Sequence, residues 1–186
     1  MNKFFKDMNG TGNHRILLFA ALELTKEINA DSIGINSDLV IEYGSGHQST
    51  PHLAEYCEHN DREFKSFENH PEWAEKTHAT LIKDWNEMPT ADCGVLLIDH
   101  APGEQREFDI VKNKDAALII VVHDTEIAAD HGYNMRHTFS QFQYAAEINP
   151  DGGGAGAAIL SNHIDLTWLI GQKLHGDREY EIVRIK

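Results

Sequence analysis

Two stretches of the chain, Cys93–Ile98 (CGVLLI) and 117–122 (ALIIVV), contain no charged or hydrogen-bonding side chain except a thiol. Continuous apolar runs of this length are the mark of strands covered on both faces of a parallel sheet. Leu39, Val40 and Ile41 form a shorter run of the same kind, and 63–67 and 80–85 (TLIKDW) are plausible strands beside it. Helical spacing separates these runs. Residues 13–26 carry Ile16, Leu17, Phe19, Ala20, Leu22 and Leu24 around one broad apolar face, and helical patterns follow at 51–60, from Pro71, and at 104–114. Pro51 and Pro71 suit the first turn of a helix. Near the end, 142–148 and 157–162 flank a glycine-rich tip and predict a hairpin. A short helix is expected after Asp165 and an edge strand at 179–185, while 29–37 and the long segment 126–138 read as loops. Alternating strands and helices followed by a hairpin predict an α/β domain with a mostly parallel sheet.

Length and composition narrow the class. The 186 residues contain no Pro/Ser-rich linker, so residues 1–186 are expected to form a single domain. Sixteen Lys and Arg against 30 Asp and Glu give a net charge of −14, with the acids spread along the chain. Nucleic acid is therefore an unexpected partner, because phosphate binding needs clustered cations. Cys57 and Cys93 sit inside apolar patterns and read as core thiols. No window approaches the roughly 18 apolar residues of a membrane span, and the expectation is a cytoplasmic protein without a membrane partner.

The chemistry centres on DLVIEYGSGHQSTP, residues 38–51: an apolar run, Glu42, two glycines one residue apart, then Ser49 and Thr50. Gly44 and Gly46 permit a sharp turn where backbone approaches a nucleotide-type ligand, with N–H groups presented where a helix begins. A dinucleotide fingerprint requires G-x-G-x-x-G, and Ser49 stands at the third glycine position, which weighs against a nicotinamide cofactor. Glu68 lies 22 positions after Gly46, a spacing at which a carboxylate at the second strand's tip accepts bonds from ribose hydroxyls. The two buried runs lead to Asp99-His100 and to His123-Asp124-Thr125. Carboxyl ends of parallel strands share one edge, so Glu42, Glu68, Asp99 and Asp124 should gather there. His100 and His123 are candidate general bases, or structural groups bonded to backbone. Asn13, His14 and Arg15 are expected to cap a helix or reach a substrate carboxylate.

The segments VIEYGSG, FENHPEW and LLIDH…VVHDT, in this order and spacing, resemble the class I S-adenosylmethionine-dependent methyltransferases, and are most similar to the small catechol O-methyltransferase type. The resemblance implies a Rossmann-like fold with a seven-stranded, mostly parallel sheet, an antiparallel C-terminal hairpin strand and helices on both faces. It implies S-adenosylmethionine bound by Glu42, Tyr43, Gly44, Ser45, Gly46, Ser49, Thr50, Glu68, Asn69, Trp73, Asp84, Trp85, Asp99 and His100. Trp73 would pack near the nucleoside, while Asp84 would meet the adenine amino group and Trp85 its ring. It also implies Mg²⁺ on Asp99, Asp124 and Thr125, the last replacing the family's Asn, with His100, His123 or Asp124 serving catalysis. The family's catalytic Lys would fall at Pro102, and Arg106 is a rival partner for the two acids. The expected activity is methylation of a small hydroxylated molecule. The alternatives are an inactive S-adenosylmethionine-binding domain and a nicotinamide-dependent oxidoreductase.

Overall fold

The computed structural model describes residues 14–28, 34–149, 154–175 and 179–185. In chain order these form α1 (His14–Lys26), β1 (Leu39–Tyr43), α2 (Thr50–His59), β2 (Glu63–Glu68), α3 (Pro71–Thr77) and β3 (Thr80–Leu81). Next come β4 (Cys93–Ile98), α4 (Arg106–Asn113), β5 (Ala117–His123), α5 (Ile127–Tyr133), β6 (Tyr144–Ile148) and β7 (Ala157–Ser161). The described part ends with β8 (Lys173–His175), β9 (Glu179–Glu181) and β10 (Val183–Arg184).

One sheet orders its strands β10-β6-β7-β5-β4-β1-β2-β3, and β8 pairs with β9 separately. The five strands from β5 to β3 run parallel, whereas β7, β6 and β10 join antiparallel to their neighbours. The sheet thus has eight strands rather than seven, because Val183 and Arg184 pair with Glu147 and Ala146 and extend the hairpin edge. Two-residue periodicity divides the apolar runs between two cores. Val95, Leu97, Ile119 and Val121 meet Leu17, Leu18 and Leu22 of α1 and Leu53 and Tyr56 of α2. Leu96, Ile98, Ile120 and Val122 point the other way, onto Ile110 of α4 and onto Trp85, Met135 and Phe139. Cys57 and Cys93 are free and buried in these cores.

Several local expectations are corrected. The strand at 80–85 stops at Leu81, because Asp84 accepts a bond from Asn86 N (2.9 Å) and starts a 3₁₀ turn at Trp85–Glu87. The presumed loop 126–138 contains α5 and the start of a 3₁₀ segment at Arg136–Gln141. The expected C-terminal helix is a 3₁₀ turn, Thr167–Leu169, and the edge strand breaks at Ile182 into β9 and β10. Of the loop 29–37, residues 29–33 lie outside the described set. Among the described residues no helix is long and apolar enough to cross a membrane.

Candidate active site

Chain direction across the sheet reverses between β1 and β4: β2 and β3 lie to one side of β1, while β4 and β5 lie to the other. Ligands of open α/β sheets bind at such a reversal, beyond the carboxyl ends of the strands. There a cleft of about 510 Å³ is lined by Ser45, Glu68, Asn69, His70, Trp73, Asp99, His100, Ala101 and Pro102.

The loop after β1 is built by hydrogen bonds within the chain. Gly44 takes φ 92°, and a Cβ there would lie 2.5 Å from both the N and the Cα of His100. The residue is thus required by the close passage of the β1 and β4 ends. A Cβ on Gly46 would meet only Ser49 Oγ, at 3.6 Å, which leaves this backbone open to a ligand. Glu42 is fully buried and does not line the cleft. Its Oε2 accepts from Thr50 Oγ1 (2.8 Å) and Ser66 Oγ (2.6 Å), and Thr50 Oγ1 accepts from Gly46 N (2.9 Å), so Glu42 positions the loop instead of touching a cofactor. Burial pushes its carboxyl up to about 7, against the opposing effect of hydrogen bonds from Ser49, Ser66 and Thr50. Tyr43, Ser49 and Thr50 are likewise buried and absent from the lining.

Glu68 reaches the cleft from the tip of β2. Ser45 N donates to its Oε2 (2.9 Å), with Ser45 Oγ at 3.3 Å, and His70 N donates to its Oε1 (2.9 Å), which fixes the carboxylate and leaves Oε1 a further acceptor site. Asn69 Nδ2 donates to Ala101 O (3.0 Å) and joins the two lips. Trp73 is 39% exposed, flanked by His47 and by Lys76 Nζ 5.3 Å from its ring. Trp85 is buried, stacks on His100 and donates Nε1–H to Ala101 O, so its faces are not free for adenine. Asp84, occupied with capping, does not line the cleft. Trp73, not Trp85, is therefore the accessible aromatic platform of the lining.

Of the four strand-end acids, Asp99 and Asp124 come together, and Arg106 bridges them. Its Nη2 lies 3.2 Å from Asp99 Oδ1 and its Nη1 3.2 Å from Asp124 Oδ2, while further N–H groups donate to the carbonyls of His100 and His123. Tyr133 packs over the guanidinium at 5.0 Å. His123 Nδ1 donates to Asp99 Oδ1 (3.1 Å) and lies 3.3 Å from Asp124 Oδ1. Burial would lower the His123 pKa, but the bond to Asp99 and the charges of Asp99 and Asp124 outweigh it and hold it above its ordinary value. Burial likewise works to raise Asp99, and the combined His123, Arg106 and His14 contributions keep it below the usual carboxylate range. Asp124 adopts φ 56°, a left-handed conformation that turns the chain out of β5.

One assignment fails on geometry. His100 is buried with Nε2 bonded to Asp109 Oδ2 at 3.0 Å, and its remaining ring nitrogen is enclosed, so the imidazole does not face the cleft as a base. Thr125 Oγ1 is buried without a hydrogen-bond partner, beside the start of β7. The sequence reading passed over His70, Ala101 and Pro102 in the cleft. It left His14 as a cap or a carboxylate contact, whereas its ring packs edge-on against His123 at 4.2 Å.

No protein-family model matches the chain, and no curated protein matches it. Solved structures do match. A structure titled "METTL16 MTase domain" superimposes with TM-score 0.51 at 12% identity, over 83% of this chain and 70% of that one. Cofactor-bound Rv0187 from MTB superimposes with TM-score 0.50 at 15% identity, over 86% and 94%. The fold is that of the class I methyltransferases. Identities this low carry no substrate or residue role with them.

Proposed function

We propose that this class I methyltransferase fold binds S-adenosylmethionine in the cleft between β1 and β4 and methylates a hydroxyl of a small molecule. The observation that carries the reading is Glu68, held by two backbone N–H groups on the rim of a cleft at the sheet's reversal point. Glu68 would accept the ribose hydroxyls, Trp73 would cover the adenine, and Gly46, with no side chain, would let the methionine portion pass close to the backbone. When bound, S-adenosylmethionine supplies an electrophilic methyl on sulfur. The acceptor oxygen forms a bond to that methyl as the carbon–sulfur bond breaks, and the chain aligns the partners and excludes water.

Asp124 is the proposed acceptor of the hydroxyl proton. Its side chain is 26% exposed, and Arg106 and His123 hold it in place. Mg²⁺ fits poorly here, because the guanidinium of Arg106 already lies between the two carboxylates. No step is therefore routed through a divalent ion. Charge supports a small-molecule acceptor, since −14 on 186 residues disfavours a polyanion.

The same bridging supports a second reading, a cofactor-binding domain without catalysis, because each strand-end acid is already paired. Methyl transfer from labelled S-adenosylmethionine to a panel of phenols, catechols, polyols and a structured RNA separates the two. The proposal expects product with a hydroxylated small molecule and a rate at least about tenfold lower in Asp124→Asn with cofactor affinity kept. Methylation of the RNA alone would overturn the acceptor class, and no turnover beside tight cofactor binding would favour the binding domain.

A further inference from the structure

At the end of the sheet remote from the cleft, a second cavity of about 330 Å³ opens where β6 begins. Tyr144, the first residue of β6, pairs with Ser161, whereas the cleft end of β7 is Ala157, which pairs with His123. The cavity is lined by Phe139, Phe142, Tyr144, Leu166, Ile170 and Arg184, among others. Phe139 and Phe142 belong to the core on one face of the sheet and Leu166 to the core on the other, so the space lies around the sheet edge where the two cores part. Apolar walls bounding such a space lack the packing partners that a filled core provides. Arg184, on β10, is the one cation of the lining, and it is exposed. Its guanidinium forms no ion pair among the described residues. Asp165 feels its charge, but that carboxylate is exposed, and its Oδ1 accepts from Thr167 N (2.8 Å) and Thr167 Oγ1 (2.6 Å).

We propose that this cavity binds a small planar aromatic carboxylate, with the ligand's ring among Phe139, Phe142 and Tyr144 and its carboxylate on Arg184. Small-molecule sites combine mostly apolar walls with a few placed polar groups, and the volume here suits a ligand of one or two rings. Three aromatic residues in the lining favour a flat ligand, because ring pairs gain energy beyond the area they bury. An unpaired guanidinium meets a carboxylate with two parallel N–H donors, which a neutral or cationic ligand would leave unused. On a chain of net charge −14, anions are repelled by most of the surface, so a cation at the edge of an apolar cavity is a local exception that gives the site its charge preference. The cavity shares no lining residue with the cleft at the β1–β4 reversal, so its occupant is neither the proposed cofactor nor the proposed methyl acceptor.

The test is calorimetric titration of the full chain with 1-naphthoate, with its neutral counterpart 1-naphthalenemethanol and with octanoate, together with amide chemical-shift mapping of the naphthoate site. One equivalent of naphthoate is expected to bind, about fivefold or more tightly than the alcohol and more tightly than octanoate. Arg184→Gln should remove the preference for the acid over the alcohol while keeping the affinity for the alcohol. Arg184 is exposed at a strand edge, and circular dichroism of the variant should match the parent. The shifts should fall on Phe139, Phe142, Tyr144 and Ile185 rather than on Ser45, Glu68 and Asn69. No saturable naphthoate binding, shifts confined to the cleft residues, or an acid preference kept in Arg184→Gln would overturn the site. Tighter binding of octanoate would overturn the aromatic class. A concentration-dependent dimer in sedimentation that excludes naphthoate would assign the cavity to a second copy of the chain and overturn the small-ligand assignment. Because no assay involves S-adenosylmethionine, this result is separate from the fate of the proposed methyl transfer.

Discussion

Gly44 and Gly46 look alike in the sequence, yet the fold asks different things of them. Gly44 takes a left-handed φ and leaves no room for a Cβ beside the His100 backbone, so Gly44→Ala should destabilise the whole sheet. Gly46 has open space, so Gly46→Ala should change stability by no more than about 0.5 kcal/mol. Thermal melts of the two variants check this contrast, and equal melting temperatures would contradict it. Glu42 makes a separate prediction. Its carboxyl titrates near 7 in the fold against an ordinary value of 4.5. The native state therefore binds more protons than the unfolded chain between those values, and this group lowers stability as pH rises through that window. At full effect the loss is on the order of 3 kcal/mol. Denaturant unfolding at pH 5 and pH 7.5 should show a smaller loss with rising pH in Glu42→Gln than in the parent, and identical pH profiles would be the contrary result.

At the scale of elements, α4 governs the acid cluster through its first residue. Arg106 carries the Asp99 and Asp124 bridges and two carbonyl contacts on a side chain that is 5% exposed. Arg106→Met would leave the two carboxylates with only His123 between them. Breaking a largely buried pair in this way costs about 3 to 5 kcal/mol. The deficit should shrink in acid, where the carboxylates are neutral, and melting temperatures compared at neutral and acid pH would show whether it does. The turn before α4 has its own constraint. A Cβ on Gly103 would fall 2.2 Å from the Tyr133 ring, so Gly103→Ala should displace Tyr133 from Arg106 and loosen α5. Hydrogen exchange across Ile127–Tyr133 should rise in that variant. Unchanged protection there would show that Tyr133 does not hold the helix.

Across the whole molecule, what the sequence revealed depended on the range of the interaction. The strands could be read because burial on both faces leaves continuous apolar runs, and strand ends with acids then located the cleft edge. The position of Glu68 at the tip of β2, in the cleft lining, was readable because it depends on a spacing along the chain. The failures were contacts distant in sequence. Nothing in the neighbourhood of His100 announces Asp109 or the stacking of Trp85, and these contacts remove both rings from the site. Nor does the composition of α1 reveal that His14 meets His123, 109 positions away, since 123 − 14 = 109. The edge strand expected at 179–185 is present in two parts that the alternation could not separate: Val183 and Arg184 pair with β6 at the sheet edge, and Glu179–Glu181 pairs with β8.

The central claim is that the cleft at the β1–β4 reversal is a nucleoside site organised by Glu68. Calorimetric titration with S-adenosylhomocysteine tests it without knowledge of the acceptor. The parent chain should bind one equivalent, and Glu68→Ala, shown folded by circular dichroism, should bind at least about tenfold more weakly through loss of charged hydrogen bonds to the ribose. Parental affinity in Glu68→Ala, or binding of NAD in place of S-adenosylhomocysteine by the parent, would contradict the account.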